Sequence, residues 1–209
     1  GIERVVAGLF AVLVVANVVT SQWLATAIEA LPDQRAGLRS VLQSVEYGLT
    51  LYASFAGWSS VAIGLAALLG HRVVENFNHP FIQPNIAAFW RGWHVSLTRF
   101  ATDYVYRPIA AHFRSHLAAV FATMAAIAIW HELSGRYLAW AAYHALGLAV
   151  HRRFAVWRGT DAAAEQSIFT TVISTVVTFV FVMLGFTFTR SANLGAAADA
   201  FLLMVEGGW

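Results

Sequence analysis

Three stretches of this chain, 5–28, 47–70 and 166–189, each run 24 residues without an acidic or basic side chain. A helix rises about 1.5 Å per residue, so roughly 20 residues cross about 30 Å of hydrocarbon. Each run is long enough to span a bilayer, where a helix satisfies its own backbone hydrogen bonds. The competing reading, buried helices of a large water-soluble protein, requires a polar coat. Here 59% of the residues are hydrophobic and 11% charged, whereas soluble domains carry about 25% charged residues. The sequence therefore predicts an all-α, polytopic transmembrane fold.

The punctuation between the runs refines that expectation. Leu31, Pro32 and Asp33 break a first helix, about 5–28, from a second, about 44–70, that ends near Gly70. The segment 71–115 holds Arg72, Arg91, Arg99, Arg107 and Arg114 among many aromatics, with Pro80, Pro84 and Pro108 interrupting it. Within it, residues 85–106 read as one or two interfacial amphipathic helices. Two shorter apolar runs follow, about 116–130 and 137–150, joined across 131–136. They predict a hairpin or a broken helix pair, which is tolerated at membrane depth only beside protein or a water-filled cavity. A basic loop at 151–165 (Arg152, Arg153, Arg158), a spanning helix at 166–189 and an amphipathic helix at 194–205 complete the expectation.

The whole chain, 1–209, reads as one membrane domain. If helices alternate sides, 71–115 and 151–165 share a face and carry eight of the 13 basic residues, all arginine. Arginine bias places that face, and the 71–115 segment, on the cytoplasmic side. Cysteine is absent, which excludes disulfides and thiolate metal sites. A net charge of +2 gives no argument for nucleic acid as a partner. The start at Gly1 shows no signal-peptide pattern and leads us to expect that upstream helices are missing.

Eight histidines are many for a membrane chain, and ionisable groups at membrane depth usually mark a site. His131, in Ile129-Trp130-His131-Glu132-Leu133, ends an apolar run beside a carboxylate. It can serve as a base that titrates near neutrality or be a histidine satisfied by a neighbouring carbonyl. His94 follows Trp90-Arg91-Gly92-Trp93. On a helix Trp90 and His94 are i and i+4 and share a face, lining a pocket or sitting in an interfacial aromatic belt. His144, in Trp140-Ala141-Ala142-Tyr143-His144, is one helix away from His131 if the two short helices pair. Small residues around it permit close packing. His112 and His116 have the i, i+4 spacing of metal ligands, but no carboxylate accompanies them and Arg114 intervenes. No metal is expected.

The order of these segments resembles the membrane-bound O-acyltransferase family, most closely its bacterial branch that acylates alginate, other exopolysaccharides and teichoic acids. Glu75-Asn76-Phe77-Asn78-His79-Pro80-Phe81 resembles that branch's Glu-Asn-Phe-Asn-Arg-Pro-Tyr. Phe89-Trp90-Arg91-Gly92-Trp93-His94-Val95-Ser96-Leu97 resembles Phe-Trp-Arg-Arg-Trp-His-Ile-Ser-Leu. Asp103-Tyr104-Val105-Tyr106-Arg107-Pro108 is similar to Asp-Tyr-x-Tyr-x-Pro, and Trp130-His131 to the family's Trp-His motif. Tyr52 to Ser60 resembles an upstream Tyr-x-Asp-Phe-Ser-Gly-Tyr-Ser-Asp, with Ser54 and Ser60 in place of the aspartates. Phe186 to Arg190 resembles a late Phe-Phe-Arg element. The likeness covers roughly residues 45–205. Glu132 replaces the usual glycine after Trp-His.

That resemblance implies a bacterial inner-membrane, multi-pass O-acyltransferase with His131 as catalytic residue and His94 as a second functional position. It implies transfer of an acyl group from a thioester, acyl-CoA or acyl carrier protein, to a hydroxyl of a cell-envelope polysaccharide or lipid. No tightly bound cofactor is expected. Trp90, Trp93, Trp130, Glu132, Asn78 and His144 are the candidates to line the substrate channel, and Arg91, Arg99 and Arg107 to meet donor phosphates. Membrane lipid is an expected partner, and a periplasmic acyltransferase or carrier fits beside it. Two other readings share the helices: a transporter or flippase component, and an inactive scaffold that relays acyl groups. Family members are about twice this length.

Overall fold

The computed structural model describes residues 1–159 and 167–209, and among these it contains helices and no β-strand. Three helical stretches are long and apolar enough to cross a membrane: Ile2–Glu29, Asp33–Leu68 and Ile168–Arg190. The chain divides into two compact units, residues 1–76 with 190–209, and residues 77–189.

In the first unit, α1 (Ile2–Glu29) and α2 (Ala36–Leu68) form an antiparallel pair around the break at Pro32 and a short turn, Asp33–Arg35. Helix α2 begins about two turns before the expected start, because residues 36–43, Arg39 and Gln43 among them, are helical although they lie outside the apolar run. Small residues let the helices touch. A Cβ at Gly8 would lie 2.5 Å from the Gly57 carbonyl oxygen, the close approach that drives association where lipid removes the hydrophobic gain. Over Ala11–Leu24, α1 widens to π-type turns. There the Thr20 hydroxyl donates to the Ala16 carbonyl (2.8 Å) and lies 2.7 Å from the hydroxyl of Thr50.

The far end of α1 is tied to the following loop. The Arg4 guanidinium grips the Glu75 carboxylate with two hydrogen bonds, the Nη2–Oε2 contact being 2.7 Å. This holds the Glu75 carboxyl below its usual range, first by the hydrogen bond and then by the charge of Arg4. Asn76 reaches Ser59 at 3.3 Å, so the segments 52–60 and 75–76 meet. The terminal helix, Leu194–Glu206, packs on α2, where the Ser40 hydroxyl donates to the Ala200 carbonyl. Arg190 donates to Ser44 (3.0 Å), Ser40 (3.0 Å) and Gln43 (3.4 Å).

The second unit carries all the histidines except His71. A short helix α3 (Ile86–Gly92) is capped by the Asn85 side chain, which accepts from the Ala88 N–H. A continuous helical stretch α4, 95–113, contains a π-type turn at Thr102–Tyr106. Arg114 then turns left-handed (φ 49°) and α5 (His116–His131) runs back. Helices α6 (Gly135–Arg158) and α7 (Ile168–Arg190) follow, and the terminal helix is α8.

Four expectations need correction. The amphipathic segment does not end at 106: Pro108, which lacks the N–H of a regular helical bond, follows directly on the wider π-type turn Thr102–Tyr106, and the helix continues through it to Phe113. The expected loop at 151–165 is helical as far as Arg158, so Arg152, Arg153 and Arg158 decorate α6, and 160–166 lie outside the described residues. The second short helix is thus 24 residues long. The left-handed Arg114 puts His112 and His116 on different helices, so they are not helical i, i+4 neighbours.

Candidate functional site

The chain turns sharply where the Trp-Arg-Gly-Trp-His sequence sits. Helix α3 stops at Gly92, Trp93 is extended, and His94 adopts the left-handed conformation (φ 45°) as the residue before α4. Non-glycine residues in that region are uncommon and concentrate at sites where local strain is useful. Trp90 and His94 therefore do not share one helical face, contrary to the expectation from spacing. Gly92 permits the turn: its carbonyl accepts from the Asn78 N–H at 2.9 Å, and a Cβ there would lie 2.5 Å from the Asn78 carbonyl oxygen. Asn78 thus acts through its backbone, while its side chain is exposed.

This turn directs the two tryptophans inward. Trp93 is 8% exposed and packs against Phe77, Phe81, Phe89 and Phe186, with ring centroids 5.2–5.8 Å apart. Trp90 is 7% exposed and meets Trp140 at 5.8 Å and His144 at 5.4 Å. His94 instead faces Trp130, at 5.9 Å between ring centroids. Trp130 meets His131 at 4.7 Å. His131 ends α5, is exposed, stacks on Tyr137 (5.6 Å) and meets Trp140 edge-on (6.2 Å). Two imidazoles 37 residues apart in sequence are thereby gathered around one indole.

The charge state of His94 follows from this placement. His94 lies outside the three spans, and its pKa is lowered to about 4, first by burial and second by the charge of nearby His131. It is therefore neutral across the physiological range. The Ser96 hydroxyl lies 3.5 Å from its Nδ1. Glu132, just beyond α5, is held by Arg136 through an i, i+4 ion pair. Arg136 also donates to the Thr189 carbonyl at 3.0 Å. Glu132 thus braces the start of α6; the described contacts give it no bond to His131.

A cavity of about 320 Å³ runs between α4 and α5. Thr98, Thr102 and Tyr106 line it from α4, and His116, Val120, Thr123, Met124 and Ile127 from α5. These spacings mark one face of each helix. His94 immediately precedes α4 and His131 ends α5, at the same end of the helix pair. At the opposite end the Tyr106 hydroxyl and His116 Nδ1 are hydrogen-bonded at 2.6 Å. The Thr98 hydroxyl donates to the Trp93 carbonyl in the turn before α4, and those of Thr102 and Thr123 to carbonyls of their own helices, which leaves a mainly apolar wall. Trp90 and Arg91 close one side. Arg91 and Arg99 are exposed, and Arg107 pairs with Asp103 at 2.8 Å.

His144 is 2% exposed and surrounded by Phe89, Trp90, Trp140, Tyr143 and Phe181. It lies one ring away from His131, with Trp140 between them. Sequence reasoning does not single out Tyr137, Trp140 or the Tyr106–His116 pair. A signal exists for the first two: Tyr137, Trp140 and His144 are spaced 3 and 4 apart, one face of a helix. Among the described residues no cluster of three metal-ligating side chains occurs.

The chain is similar to known proteins over most of its length. Over 159 residues the chain is 35% identical to the probable alginate O-acetylase AlgI of Pseudomonas aeruginosa, covering 75% of this chain and 29% of that protein. It is 30% identical over 159 residues to a teichoic acid D-alanyltransferase of Bacillus subtilis, covering 71% of this chain and 40% of the relative. It is 29% identical over 174 residues to a peptidoglycan O-acetyltransferase of Helicobacter pylori, covering 80% and 32%. The chain thus spans about a third of the length of these curated relatives, less than the half expected from sequence. Residues 2–194 match the family described as MBOAT, membrane-bound O-acyltransferase. With that match extending over both units and every histidine of the site, the chain belongs to the membrane-bound O-acyltransferase family.

Proposed function

We propose that this chain carries the histidine centre of a membrane-embedded O-acyltransferase, which moves an acyl group from a thioester to a hydroxyl of a cell-envelope polysaccharide or lipid. The observation that carries the reading is the gathering of His94 and His131 around Trp130, at one end of the two helices, α4 and α5, whose facing sides line a cavity. From His94 to Tyr106 is about 18 Å of helix, room for an extended thioester arm. The donor is acyl-CoA or an acyl carrier protein, entering past Tyr106 and His116. Arg91, Arg99 and Arg107 offer charge to its phosphates. Trp90 walls the cavity, while Trp93 fixes the turn that presents His94.

His131 acts as general base. It takes the proton of the acceptor hydroxyl as that oxygen attacks the thioester carbonyl, the carbon–sulfur bond breaks, and the imidazolium returns the proton to the leaving thiolate. Such a base contributes roughly 10²–10⁴-fold. Neutral His94 offers a hydrogen bond to the reacting carbonyl or the acceptor. The site calls for no tightly bound cofactor. A bacterial inner membrane with several crossings suits the three spans, and a periplasmic acyltransferase or carrier is the fitting partner for an acylated product.

The test is release of free thiol from an acyl thioester by the intact protein in membranes, with acceptor present. His131→Gln is expected to lower the rate by about 10²-fold or more at matched protein levels. Thiol release at the wild-type rate would overturn the assignment.

A further inference from the structure

Behind the histidine pair, three ring nitrogens have no hydrogen-bond partner among the described residues: the indole Nε1 atoms of Trp90 and Trp140, and Nδ1 of His144. All three residues are more than nine-tenths buried, at 7%, 6% and 2% exposure. They also touch one another. Ring centroids are 5.8 Å apart for Trp90–Trp140, 5.4 Å for Trp90–His144 and 5.0 Å for Trp140–His144. Buried polar groups are nearly always paired, with protein or with ordered water. Three unpaired nitrogens in one contact cluster therefore point to an occupant.

The donor inventory identifies its class. An indole N–H only donates, and an imidazole Nδ1 accepts when the ring proton is on Nε2. One water accepts from both indoles and donates to Nδ1, three hydrogen bonds being the usual number for a buried water. An apolar occupant leaves all three nitrogens unpaired. A metal ion would find one ligand, since an indole N–H is not one. The position of the imidazole is constrained from the other side, because α7 passes close to it. A Cβ at Gly185 would lie 2.7 Å from His144 Nε2. Tyr143, beside it, donates its hydroxyl proton to the Phe181 carbonyl at 2.9 Å.

We propose that Trp90, Trp140 and His144 enclose a bound water, and that through it His144 is a positioning residue for the reaction at His131. Trp140 is the connection: one edge of its environment is the His144 cluster, and its ring also supports His131 edge-on at 6.2 Å. The water fixes the indole N–H and hence the plane against which His131 packs. The proposal rests on the reading of His131 as the base, and its test separates the two.

The experiment compares His144→Asn, His144→Gln and His144→Leu in the intact protein in membranes, at matched amounts. The asparagine amide reproduces a polar group at the place of Nδ1, the glutamine amide at that of Nε2, and leucine at neither. We expect Asn to keep a rate close to wild type. Gln and Leu should lose about 10–100-fold in kcat, the scale of a small misplacement of a reacting group, with KM unchanged. Trp140→Phe should fall similarly, and Trp140→Phe combined with His144→Leu no further. A high-resolution map of the wild-type protein should show solvent density between the three rings. An empty cluster, a leucine variant as fast as asparagine, or multiplicative losses in the double variant would overturn the proposal. Loss of activity in His131→Gln alongside a flat His144 series would sink the water and leave the base. Full activity in His131→Gln would sink the base and with it the positioning role.

Discussion

At the scale of single residues, the site is defined by which groups are charged and which backbones are bent. His94 keeps its neutral form down to about pH 4, so its removal takes no charge away from His131 at higher pH. His94→Gln is therefore expected to lower the rate without moving the acid limb of the pH–rate profile between pH 5.5 and 8. An acid limb displaced by the substitution would contradict the burial of His94. Gly92 is the second determinant. Gly92→Ala places a methyl 2.5 Å from the Asn78 carbonyl oxygen; overpacking of this kind costs about 1–3 kcal/mol. The turn should shift and activity fall, read as a lower thermal midpoint in detergent together with a reduced rate. Identities were legible here: His131 and His94 stand out as histidines flanked by tryptophan. The left-handed turn at His94 was not legible, because helical spacing across Trp90 to His94 assumes the continuity that Gly92 and Trp93 interrupt.

At the scale of elements, α4 and α5 enclose a cavity of the second unit. They are antiparallel because Arg114 reverses the chain, so the ends that carry His94 and His131 coincide and the Tyr106–His116 bond closes the other end. Tyr106→Phe removes that bond and leaves the ring. If the donor arm passes there, the expected change is in KM for the thioester, severalfold, with kcat nearly preserved. An unchanged KM would place donor entry elsewhere. The three apolar runs predicted the spans because hydrocarbon imposes length and apolarity together. The extent of α6 was not predictable from the same rule. Its last two turns carry Arg152, Arg153 and Arg158, and arginines are good helix formers whether or not they face lipid.

At the scale of the whole molecule, the two units divide the labour differently. The first is built on glycine-mediated helix contact and on Arg4 and Arg190, whose hydrogen bonds tie Glu75 to α1 and the end of α7 to α2. The second is an aromatic cluster around histidines. Family membership accounts for the order of the motifs, and the cavity supplies the geometry that motif order lacks. What a sequence does not express is which rings meet across helices: Trp140 reaches His131 only once α5 packs on α6, and Trp90 only once α3 does.

The central claim is that the cavity between α4 and α5 delivers a thioester to His131. Its most direct test is a map of the intact protein with a non-hydrolysable acyl-pantetheine analogue bound. The account predicts the arm lying along Thr98, Thr102 and Ile127, with its acyl carbon beside the rings of His94 and His131. An analogue bound elsewhere, with that cavity filled by lipid or empty, would contradict it.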